Sequence, residues 1–182
     1  MKIAKDIEIL DAQGLKRTIT RITHQILENS RGAKKLAIIG LQTRGVFIAQ
    51  RIAKLIKKIE KIDVPLGVID TTFYRDDIGL KSPNFEIKKT EIDFPLEGRT
   101  IVLVDDVLYT GRTVRSALDA IMDIGRPARV RLAVLIDRGN RELPIEANFI
   151  GCLVPTTRDE NIQVQLKETD KRDRVLLCRH ER

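Results

Sequence analysis

Four short, strongly aliphatic runs constrain this chain most: residues 35–39 (KLAII), 65–70 (PLGVID), 100–104 (TIVLV) and 128–136 (ARVRLAVLI). Runs of this length and composition are read as buried strands. Helical stripes lie between them. Asp11 can cap a helix over residues 11–30, whose Leu15, Ile19, Ile22 and Ile26 share one face. A second helix follows the turn at residues 43–45 and carries Val46, Ala49, Ile52, Ala53, Ile56 and Ile59 inward. A third opens at Gly111 and runs through Ile124, with Val114, Leu118, Ile121 and Met122 on its core side. Strand alternating with helix predicts an α/β domain with a mainly parallel central sheet and flanking helices. Three shorter strands, near 148–154, 162–167 and 174–178, predict a small β flap, or hood, appended at the end.

No repeat, low-complexity tract or Gly/Ser-rich linker divides the chain, so residues 1–182 are expected to form one domain. Apolar residues make up 42% of it, and Trp is absent, so the core must be Ile, Leu, Val and Ala. The first ten residues, MKIAKDIEIL, place Asp and Glu where an apolar h-region would lie, so no signal peptide is expected there. No apolar run approaches the roughly 18 residues that cross a bilayer. The expected location is the cytoplasm, with no membrane partner. Cys152 and Cys178 form no metal-binding or redox motif and read as reduced thiols. The net charge of +7 suits anionic substrates or a nucleic acid.

The chemistry concentrates in IVLVDDVLYTGRT, residues 101–113. In an open parallel sheet, ligands bind at the carboxyl ends of the strands. Asp105 and Asp106 stand there, directly after IVLV, and suit ribose hydroxyls or a divalent metal. Gly111 permits close backbone approach, Thr110 and Thr113 offer hydroxyls, and the amides opening the next helix favour an anion. One turn therefore serves sugar and phosphate together. A nucleoside triphosphate fits less well, because no GxxxxGK[ST] is present. The polar stretch 71–90, TTFYRDDIGLKSPNFEIKKT, is long for a connection in a compact domain and is read as a functional lid, a hairpin or a disordered segment.

VLVDDVLYTGRT resembles the binding signature of the type I phosphoribosyltransferases. That resemblance implies 5-phosphoribosyl 1-pyrophosphate (PRPP) as substrate and Mg²⁺ as cofactor, with Asp105 and Asp106 orienting ribose and metal, directly or through water. It implies that Val107, Leu108, Tyr109, Thr110, Gly111, Arg112 and Thr113 surround the 5-phosphate. GLQTRG, residues 40–45, would then hold pyrophosphate through Thr43, Arg44 and Gly45, and Arg75 in FYRDD would reach it from the mobile loop 71–90. Read with QTRGVFIAQRIA, DRGNRELP and VPTT, the chain resembles the branch of this family that regulates pyrimidine operons. Members bind pyrimidine-operon (pyr) mRNA leaders in response to uridine nucleotides (UMP, UTP) and promote transcription attenuation. Many also convert uracil and PRPP to UMP and pyrophosphate. The base is expected near Asp137, Arg138 and Ile162.

The first helix bears on the RNA role. Opposite its apolar stripe stand Arg17, Arg21 and His24, with Lys16, Thr20 and Arg31 nearby. Such a ridge suits RNA phosphates and 2′-hydroxyls, although a solvated helix face would read the same. The resemblance places Thr20, Arg21 and His24, with Arg141 in DRGNREL, among the RNA-binding residues, and Lys16 and Arg17 extend that patch. The sequence departs from the family pattern at Asn140, where histidine is expected, and at Glu146, where a basic residue is common. Two readings stay open: a uridine-nucleotide-sensing RNA-binding regulator that is also a uracil phosphoribosyltransferase, and an enzyme with no RNA role. A purine or orotate phosphoribosyltransferase is less favoured by DRGNRELP. A homo-oligomer, dimer or tetramer, is expected.

Overall fold

The structure is a computed structural model and describes residues 6–71 and 90–179. Its larger sheet has five parallel strands in the order β3-β2-β4-β5-β6. These are β2 (Leu36–Leu41), β3 (Leu66–Ile69), β4 (Thr100–Leu108), β5 (Arg129–Asp137) and β6 (Phe149–Leu153). A second, antiparallel sheet of three strands, β1-β8-β7, joins β1 (Ile7–Leu10), β7 (Glu160–Gln165) and β8 (Arg174–Arg179). The helices are α1 (Ala12–Ser30), α2 (Arg44–Glu60), α3 (Arg112–Ile124) and the single turn α4 (Lys167–Asp170).

Alternation along the central strands divides the core into two layers. Val102 and Val104 of β4 face α1, α2 and the smaller sheet, in one cluster with Leu15, Ile22, Ile52, Ile162 and Val175. Ile101 and Leu103 face α3, in a second cluster with Val114, Ala117 and Ile121. The helix α1 begins as expected: the Asp11 side chain accepts from Gly14 N at 2.6 Å.

Four expectations need correction. Ile59 is 40% exposed and Met122 54% exposed. All of residues 57–60 are exposed, so none of the described residues buries the last turn of α2. In α3 the buried stripe includes the small residues Ser116, Ala117 and Ala120, and Met122 falls beside it. The strand at 149–153 is not part of the appended flap, because it pairs parallel with β5 as the fifth strand of the main sheet. The flap instead includes the N-terminal strand β1, whose partner β8 lies far along the chain. Finally, β4 does not end at Val104. Its ladder with β5 continues through Asp105↔Val134 to Leu108↔Asp137, since backbone pairing does not require apolar side chains.

Candidate functional site

Going from β2 to β3 the chain moves outward on one side, and β4 then pairs with the other side of β2. The gap between the ends of β2 and β4 is therefore the switch point of the sheet, where open α/β folds bind ligands. Two turns meet there. The first, residues 42–45, leads from β2 into α2. Gly45 sits against β4 so closely that a Cβ there would stand 2.5 Å from the Val104 carbonyl oxygen and 3.1 Å from Asp105 Cα. Only glycine lets the turn lie directly over the acidic pair.

The second turn leaves β4. Asp105 is buried, and its Oδ1 accepts from Asp106 N at 2.9 Å, while Asp106 Oδ1 accepts from Val107 N at 2.9 Å. Gly111 caps α3 with φ +92°, the left-handed region that favours glycine, and a Cβ there would press on Ile145 at 3.3 Å. The first backbone bond of α3 runs from Arg115 N to Gly111 O, so the amides of Thr113 and Val114 lie outside the helix ladder. A cavity of about 440 Å³ is lined by Asp105, by every residue from Val107 to Val114, and by Glu142. It thus gathers the acidic strand end, the Thr110 and Thr113 hydroxyls and the start of a helix.

DRGNREL folds over this turn. Thr110 O accepts from Glu142 N and Leu143 N, and Arg112 Nε donates to Glu142 Oε2 at 2.8 Å. Glu142 thus places a carboxylate on the rim of an anion site, a feature sequence reading missed. Arg141 is committed to the scaffold: it donates to Ile145 O, Tyr109 O and Gly139 O and meets Asp137 Oδ2 at 2.5 Å. It does not line the groove of the α1 basic residues. Asn140 adopts φ +57°, which asparagine tolerates better than most residues, and its Nδ2 donates to Thr156 O at 2.8 Å.

Asp137 and Arg138 are buried below Tyr109. The Arg138 guanidinium lies 4.0 Å from the Tyr109 ring centroid and donates to Thr156 Oγ1, Asn161 Oδ1, Thr157 O and Glu160 O. It ties the hood to the phosphate turn. Ile162 is packed in the core cluster, paired across the hood with Leu177. Arg44 turns toward the hood, with Nη2 2.9 Å from Asp170 Oδ1. Burial pushes the Asp170 carboxyl up, but hydrogen bonds from Thr169, Leu166 N and Arg44 prevail and hold it down at about 2. No sequence signal points to Asp170, which is 126 residues from Arg44. Arg75 lies outside the described residues. Lys16, Arg17, Thr20, Arg21 and His24, with Gln13, line a groove of about 550 Å³ on α1. Arg21 is anchored to the Ile150 and Gly151 carbonyls of β6.

The family model of the phosphoribosyl transferase domain matches residues 7–169. The bifunctional protein PyrR of Roseiflexus sp. strain RS-1 is 55% identical over 90% of this chain and 89% of its own length. The PyrR of Geobacter sp. strain M21 is 50% identical over 96% of this chain and 99% of its own. This chain belongs to the PyrR family of phosphoribosyltransferases. Among solved structures, a hypoxanthine phosphoribosyltransferase from Staphylococcus aureus superposes with TM-score 0.69 at 18% identity, covering 93% of this chain and 90% of its own. That of Trypanosoma cruzi superposes at 0.70 with 14% identity, covering 96% and 97%. These two establish the type I phosphoribosyltransferase fold. No helix among the described residues is long and apolar enough to cross a membrane.

Proposed function

We propose that this PyrR family member transfers the phosphoribosyl group of PRPP to uracil, giving UMP and pyrophosphate, and that it binds pyr leader RNA in response to uridine nucleotides, as a cytoplasmic homo-oligomer. One observation carries the enzymatic reading: a single cavity at the switch point holds an acidic strand end beside a helix start, with a glycine-tight turn packed against it. Loss of pyrophosphate leaves an oxocarbenium-like ribose, and catalysis then depends on neutralising the leaving group. Asp105 and Asp106 orient the ribose hydroxyls. Thr110, Thr113 and the first amides of α3 hold the 5-phosphate, with Val107, Leu108, Tyr109, Gly111 and Arg112 shaping its pocket. Thr43, Gly45 and Arg44 face the pyrophosphate, Arg44 after exchanging Asp170 for it.

The donor set fits Mg²⁺ shared with substrate. No cluster of three or more metal-ligating side chains exists among the described residues, and Mg²⁺ commonly takes one or two carboxylates and completes its shell with water and phosphate. Asp106 Oδ2 has no protein partner among the described residues, and Asp106 with Asp105 would hold the ion. When bound, it supplies charge neutralisation at the pyrophosphate. The base rests above the Asp137–Arg138 platform. Ile162, packed in the core, would act through the position of β7.

The double variant Asp105→Asn, Asp106→Asn should lose uracil-dependent UMP formation, at least 10³-fold by analogy with losses of preorganised transition-state groups, while keeping its thermal melt. Near-normal turnover would remove the assignment. The RNA reading rests on family membership and on the α1 groove. Binding to a pyr leader hairpin should tighten with UMP, and equal affinity for any RNA would reduce the groove to nonspecific charge.

A further inference from the structure

A second cleft, of about 500 Å³, shares no lining residue with the phosphate turn. It lies between the start of α1, the middle of α2 and the beginning of α4. Its apolar lining is Ile19 and Leu55 at the floor and the exposed Ala12 at the edge, and Lys16, Lys54 and Lys167 stand at its rim. Ile19 is 2% exposed, whereas the three lysines are exposed. The cleft is continuous with the α1 groove, because Gln13, Lys16 and Thr20 line both.

The charge on its walls is one-sided. Asp173 is the one carboxylate on the lining, and Arg51 takes both its oxygens, at 3.1 and 2.7 Å. Arg51 also pairs with Glu168 at 2.9 and 2.6 Å, so these acids are already compensated in part. Lys16 and Lys54 form no ion pair among the described residues. Lys167, also outside ion-pair distance, donates its backbone N–H to Asp173 Oδ1 at 2.9 Å, and part of its charge serves to stabilise that carboxylate. A cationic rim around an apolar floor matches an amphipathic anion with a flat apolar part. Two groups can address polar edges: the Gln13 amide, which both donates and accepts, and Thr20 Oγ1, which donates to Lys16 O at 2.9 Å and keeps lone pairs to accept.

We propose that this cleft receives an unpaired nucleotide of a bound RNA, the base lying on Ala12, Ile19 and Leu55 and the flanking phosphates on Lys16, Lys54 and Lys167. The proposal rests on the RNA reading above and adds a site to it. Paired RNA hides its base edges in a deep, narrow groove, so recognition by sequence falls on bases splayed out of loops and bulges. The α1 ridge alone offers contacts to a backbone. The adjoining cleft offers a place for a base, and Lys54 and Lys167 extend the phosphate track beyond α1.

The test uses the full chain and two fluorescein-labelled RNAs: a pyrimidine-operon leader hairpin with its unpaired nucleotides, and a blunt duplex of the same stem. Anisotropy titrations are run at several salt concentrations. The hairpin should bind more tightly than the duplex. Lys54→Ala with Lys167→Ala should cost about tenfold in hairpin affinity and flatten the salt dependence by about 1.4, at roughly 0.7 per phosphate of a single strand. Ala12→Trp, on the exposed rim, fills the cleft without altering charge. It should weaken the hairpin about tenfold, leave the duplex unchanged and keep the salt slope. Uracil turnover and the thermal melt should stay at wild-type values in both variants. If the hairpin binds all three proteins equally, the cleft takes no nucleotide and the proposal fails while the RNA reading stands. If the wild type turns over uracil but binds neither RNA, both fall together. If polyglutamate competes for the cleft and the hairpin does not, the site is a protein-docking surface and the proposal is overturned.

Discussion

Gly45→Ala tests how closely the two turns of the site must approach. The added methyl would stand 2.5 Å from the Val104 carbonyl oxygen and 3.1 Å from Asp105 Cα, both backbone atoms of the central strand. Neither can rotate away, as the end of a flexible side chain would. Restoring ordinary contact requires the first turn of α2 to retreat by about 1 Å, an overpacking that costs about 1–3 kcal/mol of stability. A displacement of about 1 Å between reacting groups is worth about 10²-fold in rate. The expected outcome is a lower urea midpoint together with a loss of about 10²-fold in kcat/KM for PRPP, measured as UMP formation. Gly98→Ala is the control. It has φ +70° with nothing within 4 Å of the new Cβ, so it should cost about 1–2 kcal/mol through backbone strain and leave turnover untouched. The reasoning is refuted if Gly45→Ala loses stability but turns over as wild type, because the close approach would then serve packing alone.

The remaining expectations concern the groups around the pocket. Asp170, held at about 2 in the folded state, contributes stability that is present above the ordinary carboxylate value and is lost as pH falls from about 4 through 2. Unfolding free energies of wild type and Asp170→Asn, from urea titrations, should therefore differ by about 1 kcal/mol at neutral pH, after allowance for solvent screening, and converge as pH falls below about 2. Arg138→Lys cannot reproduce four hydrogen bonds and a face-on contact with Tyr109, and should cost about 2–3 kcal/mol in urea unfolding. Glu142→Gln removes a carboxylate from the rim of the anion pocket and weakens its pairing with Arg112. Calorimetry should show ribose 5-phosphate binding about three- to tenfold tighter, and weaker binding would mean that Glu142 organises the pocket more than it repels the ligand.

What could be read from the chain was local. The run 101–113 carried both its strand and its turn, because β-branched residues, an acidic pair and TGRT lie within one short stretch. Asp11 and the stripe behind it defined α1 for the same reason. What could not be read was non-local or hidden by small side chains. Among the described residues β1 pairs only with β8, and nothing in residues 7–10 announces a partner at 175–177. Ala117, Ala120 and Ser116 bury a face of α3 that hydropathy assigned in part to Met122. The carboxylates of Asp105 and Asp106 looked like a strand's end, whereas parallel pairing carries β4 on to Leu108. In the linear chain Arg44 and Arg141 look like ligand-facing cations. Their partners Asp170 and Asp137 became visible only once the hood and the DRGNREL segment were in place.

The three-stranded hood unites β1, near the start of the chain, with β7 and β8, near its end. Its edge can therefore close only after residues 174–179 have been synthesised. Strands β2 to β5 and the helices between them can emerge and pack earlier, in the order in which they are made. Until then Ile7 and Leu10 lack their partners on β8, Arg44 has no Asp170, and Arg138 has no hood to grip. The phosphate turn is thus made early and secured late. A nascent chain without β8 would carry an unsecured pocket, and firm substrate binding would await the synthesis of that strand, timed by translation itself.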